Sequence, residues 1–396
     1  MAPLINVKLG VIYLNSPKSV LETGFEFTIK TDNTGTSNDD QFTLPLLSAF
    51  NGVTAEVDWG DNNSDTITAY DQSEVTHTYS SSGTYTVKIT GSLRALRFAN
   101  GGDKLKILNI INLGVFEFTT NQSFFGCANL TQTATDSPAI STTDISGTFA
   151  NCSVFNGYID DWDVSNVQDF RFFLSSASVF NQPLNSWDVS SGTRFTQTFR
   201  FSRRFNQPLS NWDVSNAFAM DQMFYAATDY NQSLAAWDVG NVTNMNQMFR
   251  FASDFNQSID AWDVSSVTNM YAMFRDTVSF NQPLNNWDVS KVTNMADMFR
   301  KNDNFNQNIS SWNIVKVSFA ANFMENCDGF STANYDALLI GWEATLQSAH
   351  SGGSGYTLTP SWHFGNSQYT AGGDAAAAKA SLISNFGWGI TDGGTA

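Results

Sequence analysis

The chain has 396 residues, a formal net charge of −17 and a pI near 4.3, with only 14% of residues charged. That balance argues against a nucleic-acid partner, which needs clustered Lys and Arg, and disfavours docking on anionic membranes. Core material is ample, with 33 Phe and 11 Trp, and the lack of a run of 18 apolar residues means that no membrane insertion is expected.

Residues 1–22 alternate apolar positions at Leu4, Ile5, Val7, Leu9 and Val11. They read as an N-terminal arm or attachment strand, a contact point for other virion proteins. The opening MAPLINVKLGVIYLNS lacks the basic region, long apolar stretch and small-residue cleavage site of a secretory signal. Either a signal has been removed or the protein reaches the outside within a virus particle, and the initiating Met favours the second. Residues 23–91 alternate polar and apolar over the short runs FEFTIKT, AEVDWGD, DTITAY and GTYTVKIT, an all-β pattern with Asn, Asp and Gly turns. Val57-Asp58-Trp59-Gly60-Asp61, His77-Thr78-Tyr79 and Gly83-Thr84-Tyr85-Thr86-Val87 resemble the polycystic-kidney-disease (PKD) domain. The resemblance implies a small immunoglobulin-like β-sandwich in which His77 is structural. Asn62 stands where that family usually has a turn Gly, which predicts an altered turn.

Residues 92–330 lead into and form an array. Trp162, Trp187, Trp212, Trp237, Trp262, Trp287 and Trp312 lie 25 residues apart without a slip. Other columns keep the period: an aromatic–Asn pair from Phe155-Asn156 to Phe305-Asn306, Met220 to Met295, and Phe199 to Phe299. A fixed period in this range means stacked supersecondary units, a solenoid of 25-residue rungs. Within one rung Leu284-x-x-Trp287-x-Val289 matches the core of a leucine-rich repeat, with Trp and Val inward on a strand. Val292, Met295, Met298 and Phe299 have roughly helical spacing and predict a helical turn or 3₁₀ segment behind it. The Asn column is placed to satisfy turn backbone groups. The stretches around Cys127 and Cys152 are degenerate first rungs.

Residues 331–396 break the period and read as a mixed α/β C-terminal cap. Tyr335, Leu338, Leu339 and Trp342 have helical spacing, and Asp374 before AAAAKASLI reads as an N-capped helix ended by Gly387. The fold class is therefore mainly β with short helical segments: sandwich, leucine-rich-repeat solenoid, cap.

The repeat FNQ-x-L-x-x-WDVS-x-VTNM-x-x-MF, here Phe280 to Phe299, resembles the BspA-type leucine-rich repeat surface proteins. The PKD-like lead-in and the ending Trp388-Gly389-Ile390-Thr391-Asp392-Gly393 extend the likeness. It implies a non-catalytic protein of adhesion, with phage virion members also in the family, and no general binding residues to carry over.

The residues themselves offer several sites. The Trp column reads as a buried structural spine rather than a sugar-stacking platform. Asp163, Asp188, Asp213, Asp238, Asp263 and Asp288 bring like charges together on successive rungs, which must be compensated. Hydrogen bonds from the following turn are one answer; bound Ca²⁺, which would be the chain's one cofactor, is the other. Arg200, Arg250, Arg275 and Arg300 form an Arg edge that either recognises an acidic glycan or partner protein, or is a solvated face pairing with Asp254, Asp276 and Asp303. Cys127, Cys152 and Cys327 share one register with small residues and read as buried thiols, with a Cys127–Cys152 disulfide as the alternative. No catalytic constellation is visible, so an enzyme is not expected.

Three functions follow. The first is a surface-displayed adhesion protein that presents its repeats to a host-cell protein or glycan. Its setting would be the virion, as tail fibre, appendage or capsid decoration, or alternatively a secreted protein or bacterial cell-surface adhesin. The second is a purely structural virion decoration protein, and the third a polysaccharide-acting enzyme.

Overall fold

The computed structural model describes residues 24–353 and 355–396; the arm expected over 1–22 lies outside them. The described chain is mainly β with few helices.

Alternating apolar residues build the N-terminal module. Strands β1 (Phe25–Lys30) and β3 (Ala55–Asp58) bury every second side chain, β4 (Ser64–Ile67) buries Ile67, β6 (Thr84–Gly91) buries Val87 and Ile89, and β2 (Gln41–Thr43) pairs antiparallel with β5 (Thr76–Thr78). The sheet order is β4-β3-β6-β1-β7-β9, where β7 is Ile107–Asn112 and β9 is Thr131–Gln132. The sheet therefore runs on into the lead-in of the array: β1 pairs antiparallel with β7, and β7 pairs parallel with β9. Phe42 of β2 meets Phe27 of β1 at 5.9 Å between ring centroids. Asn62 takes φ 72°, so the turn keeps a left-handed residue without glycine, a conformation Asn tolerates.

Two buried charges fasten this module to the lead-in. The Lys106 ammonium donates to the carbonyls of Ser37, Asn38 and Gln41 and to the Ser37 hydroxyl, at 2.7–3.2 Å. Asp103 accepts from the backbone N–H groups of Thr36, Ser37 and Thr43. Both side chains are buried, and each charge is surrounded by backbone dipoles of the opposite sense, which offsets desolvation.

Beyond β7 the 25-residue units stack in register. Short strands β8 (Glu117–Phe118) and β10 (Ala139–Ile140) pair parallel, and isolated parallel bridges then link Asp144, Asp169, Arg194, Ala219, Asn244, Asn269, Asn294 and Phe319 in series. The ladder thus falls in the VTNM part of the unit. The expected strand at Trp-x-Val is corrected: that segment carries no ladder, although Trp and Val do point inward. The expected helical segment from Val292 to Phe299 is also corrected, because it is a run of overlapping turns. Met298, Arg300 and Asn302 N–H groups bond three residues back, to Met295, Asp297 and Phe299. The intervening N–H groups of Asp297, Phe299 and Lys301 bond to Ala321, Phe323 and Glu325 of the next unit. Asp297 and Lys301 pay for this geometry with φ 58° and 57°, left-handed conformations repeated at Gln197, Phe201, Gln247 and Phe251. Spacing by three and four is common to such turns and to a helix, hence the misreading.

The Asn column links successive units. Asn256 Oδ1 accepts the Asn281 N–H at 3.0 Å and the Gln282 side chain at 3.0 Å, and the same pair recurs from unit to unit.

The cap closes the far end. Helix α1 (Thr332–Ala349) buries Tyr335, Leu338, Leu339, Trp342 and Leu346, and α2 (Asp374–Ser384) packs beside it. Gly373, not Asp374, occupies the α2 N-cap; Asp374 sits in the first turn, where it still favours the positive helix end. Strand β11 (Ser361–His363) pairs parallel with β12 (Gly389–Thr391). Asp392 follows β12 and receives both the Lys379 ammonium and the Tyr335 hydroxyl, at 2.8 and 2.6 Å.

Candidate functional site

The seven tryptophans form a buried column, each no more than 3% exposed. Neighbouring rings lie nearly parallel, with Trp212–Trp237 at 6.4 Å and Trp237–Trp262 at 6.5 Å. From Trp187 to Trp312 each indole N–H donates to the carbonyl 28 residues earlier, as Trp237 does to Leu209 at 3.0 Å. Trp342 of α1 continues the pattern by bonding to Ile309 at 3.0 Å. The Trp162 indole N–H is buried without a partner. This column is shut off from solvent and cannot stack sugars.

The Asp column lies outside. Each of Asp163, Asp188, Asp213, Asp238, Asp263 and Asp288 accepts the backbone N–H two residues on, at 3.0–3.1 Å. The hydroxyl and backbone N–H of Ser165, Ser215 and Ser290 hold Asp163, Asp213 and Asp288 below the usual carboxylate range; for Asp263 the backbone N–H of Ser265 leads. Repulsion from Asp263 is the smallest influence on Asp288. Among the described residues no group of three or more His, Cys, Asp or Glu is arranged to hold a metal.

The Arg edge divides into two parts. Arg275 pairs with Asp276 and Asp297 at 3.3 Å, and Arg300 with Asp297 at 3.4 Å and Glu325 at 2.6 Å. Arg200 and Arg250 have no acidic partner among the described residues. They are interleaved with rings instead: Arg200 lies over Phe201 and Tyr225 at 4.3 and 5.2 Å, Arg250 over Phe251 and Tyr225 at 4.8 and 5.6 Å. Phe201, Tyr225 and Phe251 meet edge to face at 5.3 and 5.5 Å. Such stacking fixes a guanidinium while leaving its charge available.

Arg200 also bounds a groove of about 480 Å³ in the first units of the stack. Its lining includes Gln122, Phe125, Asn151, Arg171, Phe172 and Gln197, and contains no Asp or Glu. Arg171 grips Asp169 at 2.6 Å, and Phe172 is 39% exposed. The sequence reading missed Arg171, Phe172 and the groove. The signal was a gap: the column holding Arg200 carries Ala150 and Ser175 in the two units before it, and Phe125 before those.

The remaining candidates are structural. Cys127, Cys152 and Cys327 are free and buried, and the Cys152 thiol donates to the Phe124 carbonyl at 3.0 Å. Burial pushes all three thiols up, Cys327 to about 12, so none is an activated nucleophile. His77 stacks on Trp59 at 4.9 Å and bonds to Asp61 at 2.9 Å. Burial raises Asp61, but hydrogen bonds from His77 and Asn63 outweigh it and leave the carboxyl low. No described helix is long and apolar enough to cross a membrane.

Comparison with curated proteins and with solved structures returns no match. A family match covers residues 119–237 and again 219–337, together more than half of the 396 residues and nearly all of the stacked units. The chain accordingly belongs to the family described as "Mycoplasma protein of unknown function, DUF285".

Proposed function

We propose that the protein is a non-enzymatic binding protein, displayed on the outside of a virus particle or alternatively of a bacterial cell, that holds a host-cell protein or glycan on the Arg-bearing face of its array. In this reading the stacked units are a leucine-rich-repeat solenoid, and the N-terminal module is a PKD-like immunoglobulin-type sandwich that projects it. The observation that carries the reading is the Arg200–Tyr225–Arg250 interleave. These two guanidiniums are fixed by rings and unpaired with acid, in a chain of net charge −17. A column repeated along a stack gives extended contact from weak unit interactions.

The test is binding of the purified full chain to a panel of intact bacterial cells and to a glycan array, beside the double variant Arg200→Gln/Arg250→Gln. Wild type should bind at least one target, and the variant should lose that binding while keeping its circular dichroism and melting temperature. Full retention of binding by the folded variant would remove this face from consideration.

A further inference from the structure

The groove beside Arg200 has the make-up of a site for one class of ligand. Its shape follows from the repeat. Backbone turns are the same in every unit, so a column of large side chains covers this edge wherever it is filled. The column reads Phe125, Ala150, Ser175, Arg200. Two successive small residues leave a slot closed at one end by a ring and at the other by a guanidinium. Phe125 and Arg200 are three units apart, or roughly 14 Å at about 4.8 Å per unit.

The chemistry of the walls is specific. The Asn151 and Gln197 amides and the Ser175 and Ser176 hydroxyls have no protein partner for their side chains among the described residues, so they can bond sugar hydroxyls. Phe172, half exposed, offers an apolar ring face. Arg200 has no acidic partner, whereas Arg171 is already paired with Asp169. The slot thus presents one unneutralised guanidinium, amides, hydroxyls and a ring. A planar guanidinium matches a carboxylate bidentately.

We infer that the slot binds a carboxylate-bearing sugar unit, the carboxylate on Arg200 and the ring against Phe172. The inference rests on the binding-protein reading above and narrows it to one place and one ligand class.

The test is calorimetry on the full chain with four probes: a uronic-acid trisaccharide, a sialic-acid-terminated trisaccharide, the methyl ester of the first, and inorganic phosphate. Wild type should bind at least one acidic sugar, with the ester and phosphate at least roughly tenfold weaker, a difference of about 1.4 kcal/mol. Arg200→Gln should weaken the acidic sugar by roughly tenfold, and Ala150→Phe, which fills the slot, should abolish binding. Lys291→Gln removes the same charge from the Asp-bearing side and should change nothing. Should Ala150→Phe fail to fold, Arg200→Gln decides alone. The inference falls if wild type binds neither acidic sugar, if both slot variants bind like wild type, or if phosphate binds as well as the sugar. Cell binding that persists while every acidic sugar fails would overturn the slot and leave the binding-protein reading standing; loss of both would overturn both.

Discussion

The interior and the Arg-bearing face are built from the same 25-residue unit, yet they tolerate change very differently. Inside, seven Trp recur without exception, and α1 supplies Trp342 to make the next indole bond when the repeat has ended. Outside, one column changes from Phe125 through Ala150 and Ser175 to Arg200, Tyr225 and Arg250, and then to Arg275 and Arg300 locked onto acids. The backbone is indifferent to what projects from this edge, whereas the close-packed interior is not. Stability therefore resides where the columns are uniform, and the proposed function places recognition where a column breaks.

The largest effect should come from the interior. Trp237→Ala removes a buried ring and the N–H bond to Leu209, and should cost about 3–5 kcal/mol, read by chemical denaturation. Trp237→Phe and Trp162→Phe sharpen the point. The first takes the indole donor from the Leu209 carbonyl, which keeps only the Trp212 N–H, while the second removes a donor that has no partner. The first should cost about 1 kcal/mol more than the second; equal losses would mean that the indole bonds contribute nothing.

Next come the left-handed turn residues. Gln247 has φ 55° and passes its N–H to Tyr271 at 2.8 Å. Gln247→Gly should be neutral or stabilising by up to about 1 kcal/mol, and Gln247→Val destabilising by about 1–2 kcal/mol. Thermal melts in which Val is tolerated as well as Gly would contradict the turn geometry.

A smaller effect is expected where the face is locked. Arg300→Ala removes a partner from Asp297 and Glu325 and should cost about 1 kcal/mol. Arg250→Ala, with no acid to orphan, should cost less. The reverse order in denaturation midpoints would mean that the acidic pairs are idle.

The smallest effect per residue is on pH dependence. Asp163, Asp213, Asp263 and Asp288 are held below their ordinary values in the folded chain. Their contribution is present above the unfolded carboxylate value, about pH 4, and is lost as pH falls through the lowered values. Melting temperature should therefore drop below about pH 4, and the drop should shrink when the four Ser or their hydroxyl bonds are removed; an unchanged acid profile in Ser165→Ala/Ser215→Ala/Ser265→Ala/Ser290→Ala would contradict it.

Legibility followed the same division. The Trp, Phe and Asn columns could be read because repetition exposes a shared packing role. The turn run from Val292 to Phe299 was misread because overlapping turns and helices share their apolar spacing, and only the φ values of residues such as Asp297 separate them. Lys106 and Asp103 were invisible because neither repeats, and their partners lie about 60–70 residues away in β2 and the loop before it. The slot escaped notice because small residues, Ala150 and Ser175, mark it by what they leave open.

One paired measurement tests the division itself: denaturation and target binding on Trp237→Phe and Arg200→Gln/Arg250→Gln, each below its melting temperature. The interior variant should lose stability and bind as wild type does, and the face variant should keep its stability and lose binding. If the two properties instead fall together in both variants, stability and recognition are not separated between the interior and the face.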